Sequence, residues 1–347
     1  MDQLRFANVS SILVGGILVL GCSSSERGES AASSPSEMNP AASNEPAVLG
    51  QTPDDEAQPG ELSPVDRASE GQPANVGLTP PSMATSMPPV AAPPAPPETN
   101  EPAADGAPIP SAGCGSTAAV ASGRLTIDVA DASREYILEL PEDYDATRPY
   151  RLIFAWHWRG GTAEEVANGF YGLQQRAEGS AIFVSAEGID AGWANPGGSD
   201  IAFLDAMLAR LQGDLCIDQS RIFSTGWSYG GMMSLAIGCA RGDVFRAIAP
   251  MSGALYSGCA DGDAPVAYLG FHGDDDDVVP IANGVTARDV FVARNGCQPE
   301  AAAVEADGCL RFEGCAAGFP VSWCEFDGGH TPAPGSEQAI WDFFSQF

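Results

Sequence analysis

From residue 23 to residue 113 the chain carries no Phe, Trp or Tyr, while 27 of its 28 aromatic residues lie between Cys114 and Phe347. A segment without aromatic bulk cannot bury enough apolar surface to offset the entropy of ordering it. The same stretch holds 18 of the 28 prolines, and 2 Arg against 13 Asp and Glu, a net charge of −11. We read 23–113 as a disordered Pro/Ala/Ser/acidic tether, with a reach of about 50 Å. Residues 114–347, 234 in number, suffice for one sizeable domain. With 13 Arg and 32 acids, net −19, that domain lacks the basic surface that phosphate neutralisation needs, which excludes nucleic-acid binding. All 16 basic residues are Arg, so covalent Lys chemistry and PLP Schiff bases are excluded as well.

Residues 1–22 read as an export leader: Arg5 is followed by apolar Ile12 to Leu20 and by Val19-Leu20-Gly21-Cys22. The apolar run is too short to span a bilayer. Its ending resembles the lipobox of bacterial lipoproteins, which implies that Cys22 is lipidated and holds the protein at the outer membrane or cell surface. A cleaved secretory peptide is the alternative. Eight of the nine cysteines then remain in an exported domain, an even number that predicts four disulfides, with 105 possible pairings. With three His and no CxxC spacing, a zinc site is not expected; no metal or other cofactor is.

Gly123 to Leu140 alternates in two runs, as a hairpin does. Six short apolar runs follow: 152–156, 181–185, 221–224, 245–250, 266–271 and 321–326. Strands apolar on both faces are covered on both faces, as in a parallel sheet with crossover helices. The clearest helix spans Asp200 to Gln212, with Ser199 as its expected cap and Leu204, Met207, Leu208 and Leu211 as its buried stripe. A last helix spans Ser336 to Phe347.

Between the strand 221–224 and a helix-capable segment stands Gly226-Trp227-Ser228-Tyr229-Gly230, a G-x-S-x-G match in the strand-turn-helix context of a nucleophile elbow. The turn is sharp, and side chains at Gly226 and Gly230 would collide with the neighbouring strand and helix. A serine nucleophile needs a base and a carboxylate to orient it. His330, after the last strand, stands where an α/β-hydrolase places the base. Asp274 to Asp277, directly after the strand 266–271, supply the acid in the order Ser, Asp, His. His272 reads as a structural hydrogen-bonder and His157 as a loop brace. An oxyanion needs two donors: the amide of Tyr229, and one from the loop His157-Trp158-Arg159-Gly160-Gly161.

Six segments in order, Phe154 to Gly161, Tyr171-Gly-Leu-Gln174, Gly192-Trp-Ala-Asn195, Phe223 to Gly231, His272-Gly-Asp-Asp-Asp276 and Gly329-His330-Thr-Pro332, resemble the feruloyl esterases of the polyhydroxybutyrate-depolymerase type in carbohydrate esterase family 1. The resemblance runs from Cys114 to Phe347. It implies an α/β-hydrolase with a mostly parallel central sheet flanked by helices and stabilised by disulfides. Ser228, Asp276 and His330 become the catalytic residues, and the amides of Tyr229 and Arg159 the oxyanion donors, with Trp158 next in line. Trp227 stands where related enzymes often have Phe. Cys309 and Cys324 are extra to the pattern, which implies that they pair; Cys297 with Cys315 is the preferred second pair. The implied function is a monomeric esterase acting on feruloylated plant-wall polysaccharide, with Trp158, Trp193 and Trp227 as substrate-binding residues and Tyr229 as a further aromatic wall. Acetylxylan esterase and polyhydroxyalkanoate depolymerase share the elbow and differ in the acyl pocket. A non-catalytic binding protein would show a broken triad.

Overall fold

The apolar runs are strands of a single ten-stranded sheet in the computed structural model, which describes residues 106–347 apart from 118–119, 260–261, 301 and 305–307. The leader, Cys22 and the tether up to residue 105 lie outside the described residues. The strands are β1 (Gly123–Val129), β2 (Ala132–Glu139), β3 (Tyr150–Trp156), β4 (Ala181–Ala186), β5 (Ile217–Trp227), β6 (Ala247–Met251), β7 (Ala267–Gly273), β8 (Ala302–Val304), β9 (Leu310–Phe312) and β10 (Val321–Phe326). Their spatial order is β1-β2-β4-β3-β5-β6-β7-β10-β9-β8. The six central strands from β4 to β10 pair in parallel, and antiparallel strands close both edges. This is the α/β-hydrolase architecture, with the hairpin Gly123 to Leu140 at one edge. The β8–β9 hairpin at the other was not legible, because its three-residue strands carry no apolar period and β8 is exposed.

Alternation along the central strands supplies two cores. Leu152, Phe154 and Trp156 of β3 join Ile182 and Val184 of β4 on one face; Ile153, Ala155 and Phe183 turn to the other. The first face is covered by α3 (Ser199–Asp214), α4 (Tyr229–Ala240) and α5 (Ile281–Arg294). The second is covered by the short α1 (Ala163–Ala167) and α2 (Leu173–Ala177) and by α6 (Ser336–Ser345). Fully burying each large side chain stabilises the fold by about 1.5–3 kcal/mol, and every residue of β4 is buried.

Two expectations are corrected. Ser199 is not the cap of α3: it is the first helical residue, and its buried hydroxyl has no partner. The backbone at Gly197 and Gly198 takes φ of 62° and 82°, which folds Asn195 back onto the helix start. Its Oδ1 there accepts the amides of Asp200 (3.0 Å) and Ile201 (3.3 Å). Asp200, 1% exposed, in turn accepts from Arg134 (3.0 Å) and from the Asn195 amide (2.8 Å), which ties the loop after β4 to β2. The boundary expected at Cys114 also falls late. Ser111 is already buried, its amide donates to Ile217 O and its hydroxyl bridges Leu215 O and Ile217 N, so β5 starts at Ile217 with residues 109–111 along it.

Four disulfides join Cys114 to Cys216, Cys239 to Cys259, Cys297 to Cys315 and Cys309 to Cys324. The second of these clamps the end of α4 to the loop after β6.

Candidate active site

The carboxyl ends of the parallel strands converge on Ser228. It sits between β5 and α4 with φ 56° and ψ −118°, a conformation that a non-glycine residue holds only when its surroundings impose it. They do. A Cβ on Gly226 would run into the backbone of Gly230, and one on Gly230 would land on the carbonyl oxygen of Trp156 at the end of β3. The tight turn needs both glycines. Four residues later, in the first turn of α4, Met232 N donates to Ser228 O (2.9 Å).

The side chains of Ser228, His330 and Asp276 meet although 102 and 54 residues separate them from His330 in sequence. Ser228 Oγ lies 2.8 Å from His330 Nε2, and His330 Nδ1 donates to Asp276 Oδ2 at 2.7 Å. The other oxygen of Asp276 accepts the amides of Val278 (3.0 Å) and Val279 (2.8 Å). That carboxylate is buried, and its neighbours Asp274, Asp275 and Asp277 are exposed. His272 fixes the same loop: its Nε2 donates to Val279 O (2.7 Å) and approaches Asp276 Oδ2 (3.4 Å). Its Nδ1 faces Gly284 with no partner, and burial lowers its pKa below the ordinary histidine value, so the ring is the neutral Nε2–H form.

The loop after β3 is braced carbonyl by carbonyl. Gly188 N donates to His157 Nε2 (3.0 Å), which leaves Nδ1 as the protonated nitrogen, donating to Trp158 O (2.7 Å). Burial lowers the His157 pKa as well and keeps this ring neutral. Trp193 Nε1 donates to His157 O (2.9 Å), Tyr171 Oη to Trp156 O (2.7 Å) and Gly161 N to Trp158 O (3.0 Å). Gly160 N donates to Ala191 O (2.8 Å). The amide of Arg159 has no acceptor among the described residues, and a trans peptide with its carbonyl held on one side turns its N–H to the other. The Tyr229 amide, at the first position of α4, is one of the donors that a helix leaves without an internal partner.

Trp158 and Trp227 are half-buried and form an aromatic wall beside the imidazole, with ring centroids 5.4 Å apart and Trp227 5.2 Å from His330. Trp193 does not join them. It is fully buried, edge-on to Trp156 at 4.9 Å, with its N–H on the His157 carbonyl, so the expectation that it lines the substrate cleft is corrected: it is core beneath the loop. Tyr229 packs against buried Met232, Ala254 and Val279. Neither Tyr171 nor Asn195 shows a role in the sequence beyond its place in the family segments. An apolar concavity of about 450 Å³, with Val244, Arg246, Phe319 and Phe347 in its walls, opens at the amino ends of β5–β7 and contains none of these residues.

A serine on a turn of this strain, at the tip of a central parallel strand, is the arrangement on which α/β-hydrolases carry out acyl transfer, and the comparisons with known proteins agree. The Prolyl oligopeptidase family model matches residues 189–264. The solved acetyl xylan esterase from Aspergillus awamori shares the fold, with a TM-score of 0.52 at 15% identity over 64% of this chain and 99% of that one. The protein is a carboxylic ester hydrolase of the α/β-hydrolase fold. Its sequence is 46% identical over 250 residues to feruloyl esterase C of Emericella nidulans, covering 67% of this chain and 90% of that one. It is 39% identical over 263 residues to feruloyl esterase D of Neurospora crassa, covering 69% and 91%. The chain belongs to the feruloyl esterase family.

Proposed function

We propose that the protein hydrolyses feruloyl esters of plant cell-wall polysaccharide by a Ser-His-Asp triad through an acyl-enzyme. Ser228 Oγ attacks the ester carbonyl while His330 Nε2 takes its proton. Asp276 holds the imidazole with Nδ1–H toward it and stabilises the imidazolium. The carbonyl oxygen, now an oxyanion, is met by the amides of Tyr229 and Arg159. The C–O bond to the sugar breaks as His330 returns the proton to the leaving alkoxide. Water then attacks the acyl-serine with His330 again as base, releasing ferulate and restoring the Ser228 hydroxyl. The observation that carries this reading is the continuous hydrogen-bonded chain Asp276–His330–Ser228 on a strained elbow. The Trp158–Trp227 wall suits a flat aromatic acyl group. The enzyme is of the polyhydroxybutyrate-depolymerase type, acts as a monomer, and is exported and lipid-anchored through Cys22, with the Pro/Ala/Ser/acidic segment that precedes Ile109 as the spacer that holds the domain off the surface.

Hydrolysis of methyl ferulate, p-nitrophenyl acetate and short hydroxybutyrate oligomers, measured side by side, tests the substrate. The highest kcat/KM is expected on methyl ferulate. A preference for the acetate would move the reading to acetylxylan, and a preference for the oligomers to polyhydroxyalkanoate.

A further inference from the structure

Four consecutive residues between α1 and α2 have left-handed backbone: Gly169, Phe170, Tyr171 and Gly172, at φ 98°, 51°, 57° and 80°. For the two that are not glycine this costs about 1–3 kcal/mol each, a conformation that persists only where the surroundings determine it. Phe170 is accounted for by burial, since it is wholly enclosed and packs on Phe183 at 4.9 Å. Tyr171 is accounted for by its hydroxyl. That oxygen donates to the carbonyl of Trp156 (2.7 Å) and accepts the amide of Trp227 at 3.4 Å. Trp156 is the last residue of β3, where the loop to Arg159 starts; Trp227 is the last residue of β5, next to Ser228. One phenol therefore joins the two strand ends from which both oxyanion donors depart.

We propose that Tyr171 is a positioning residue for the oxyanion site, setting the spacing between the Arg159 and Tyr229 amides. The inference rests on the triad reading above and adds a residue to it. Among the described contacts, the loop carbonyls of His157 and Trp158 are braced by groups from the loop itself and from the segment after β4. The Trp156 carbonyl is braced from the opposite side by Tyr171, and it is also the atom against which Gly230 abuts, so its orientation sets how closely the loop can approach the elbow. Burial pushes the phenol well above the ordinary tyrosine value, so the O–H is intact at every working pH. Without that hydroxyl the peptide between Trp156 and His157 is free to turn, and the donor spacing relaxes. An oxyanion donor is worth about 10²–10³ in kcat when removed outright, so one that is displaced loses a part of that, roughly tenfold or more.

The test is Tyr171→Phe, which deletes one oxygen and keeps the ring. On methyl ferulate, kcat should fall roughly tenfold or more with KM within about twofold, since the substrate wall is untouched. Phenylboronic acid, whose tetrahedral adduct on serine mimics the oxyanion, should bind more weakly by the same factor as the loss in kcat/KM, while inhibition by ferulate stays unchanged. Unchanged kcat and boronate affinity would overturn the inference, and so would a loss confined to KM. Ser228→Ala in the same assays separates the two readings: if it remains active, the triad reading fails; if it is inactive while Tyr171→Phe is normal, only the positioning role fails. Should Tyr171→Phe not fold, Gly172→Ala, which disturbs a φ of 80° and crowds Glu337, must shift kcat and boronate affinity together.

Discussion

Replacing Asp276 by Asn exchanges one oxygen for an NH₂ group, and the structure decides which way the amide must face. Asp276 Oδ1 accepts two backbone amides, from Val278 at 3.0 Å and Val279 at 2.8 Å. An NH₂ turned toward them would set donor against donor, so the Asn oxygen stays there and its NH₂ faces His330 Nδ1. His330 must then offer Nδ1 as acceptor and carry its proton on Nε2, 2.8 Å from Ser228 Oγ, where it can no longer take the serine proton. In serine-hydrolase triads this wrong tautomer costs about 10⁴-fold in kcat, or about 5.5 kcal/mol of transition-state stabilisation. Size and hydrogen-bond count are nearly conserved, so the melting temperature should change little. The assay is kcat on methyl ferulate for Asp276→Asn beside Asp274→Asn and Asp277→Asn, whose carboxylates are exposed. Asp276→Asn retaining more than about a hundredth of wild-type kcat, or losing less than either neighbour, would refute the reasoning.

Trp158→Ala should lower kcat/KM for methyl ferulate much more than for p-nitrophenyl acetate, since the acetyl group does not reach that wall; Trp193→Ala, in the core, should instead lower thermal stability by about 3–5 kcal/mol and affect both esters alike. Equal selectivity in the two variants would count against this division. Replacing Cys114 and Cys216 by Ala opens a cross-link 102 residues apart and should cost about 4.7 kcal/mol in denaturant unfolding, against about 3 kcal/mol for Cys309 and Cys324, 15 apart; the reverse ranking would contradict it. Because burial lowers the pKa of both His157 and His272, the unfolded chain binds more protons than the folded one below 6.5. Their contribution is therefore complete above 6.5 and is lost as pH falls from there toward the folded values. Melts should move down on acidification from pH 7.5 to 5.5, less so in His272→Gln, and a flat profile in the parent protein would refute the assignment.

What was legible in the sequence follows from chain order. Apolar runs of four to six residues announce strands buried on both faces, and Ser228, Asp276 and His330 each follow such a run, so a parallel sheet brings all three to one edge. Side-chain direction was not legible. Trp193 in a glycine-rich loop looks exposed, yet it turns inward because the carbonyl of His157 accepts its N–H. Ser199 has the residue type of a cap, but the two glycines before it give that role to Asn195, four positions earlier. Tyr171 carries no local signal, since its partners are a carbonyl 15 residues before it and an amide 56 residues after it.

The central claim is that Ser228 carries the acyl group during turnover. Quenching the enzyme in acid during steady-state turnover of methyl ferulate, and mapping the peptide between Arg221 and Arg241 by mass spectrometry, reads this directly. The account predicts one feruloyl group on Ser228, and greater accumulation of it when release is slowed at low pH. A feruloyl adduct on any other residue, or turnover that persists in Ser228→Ala, would contradict it.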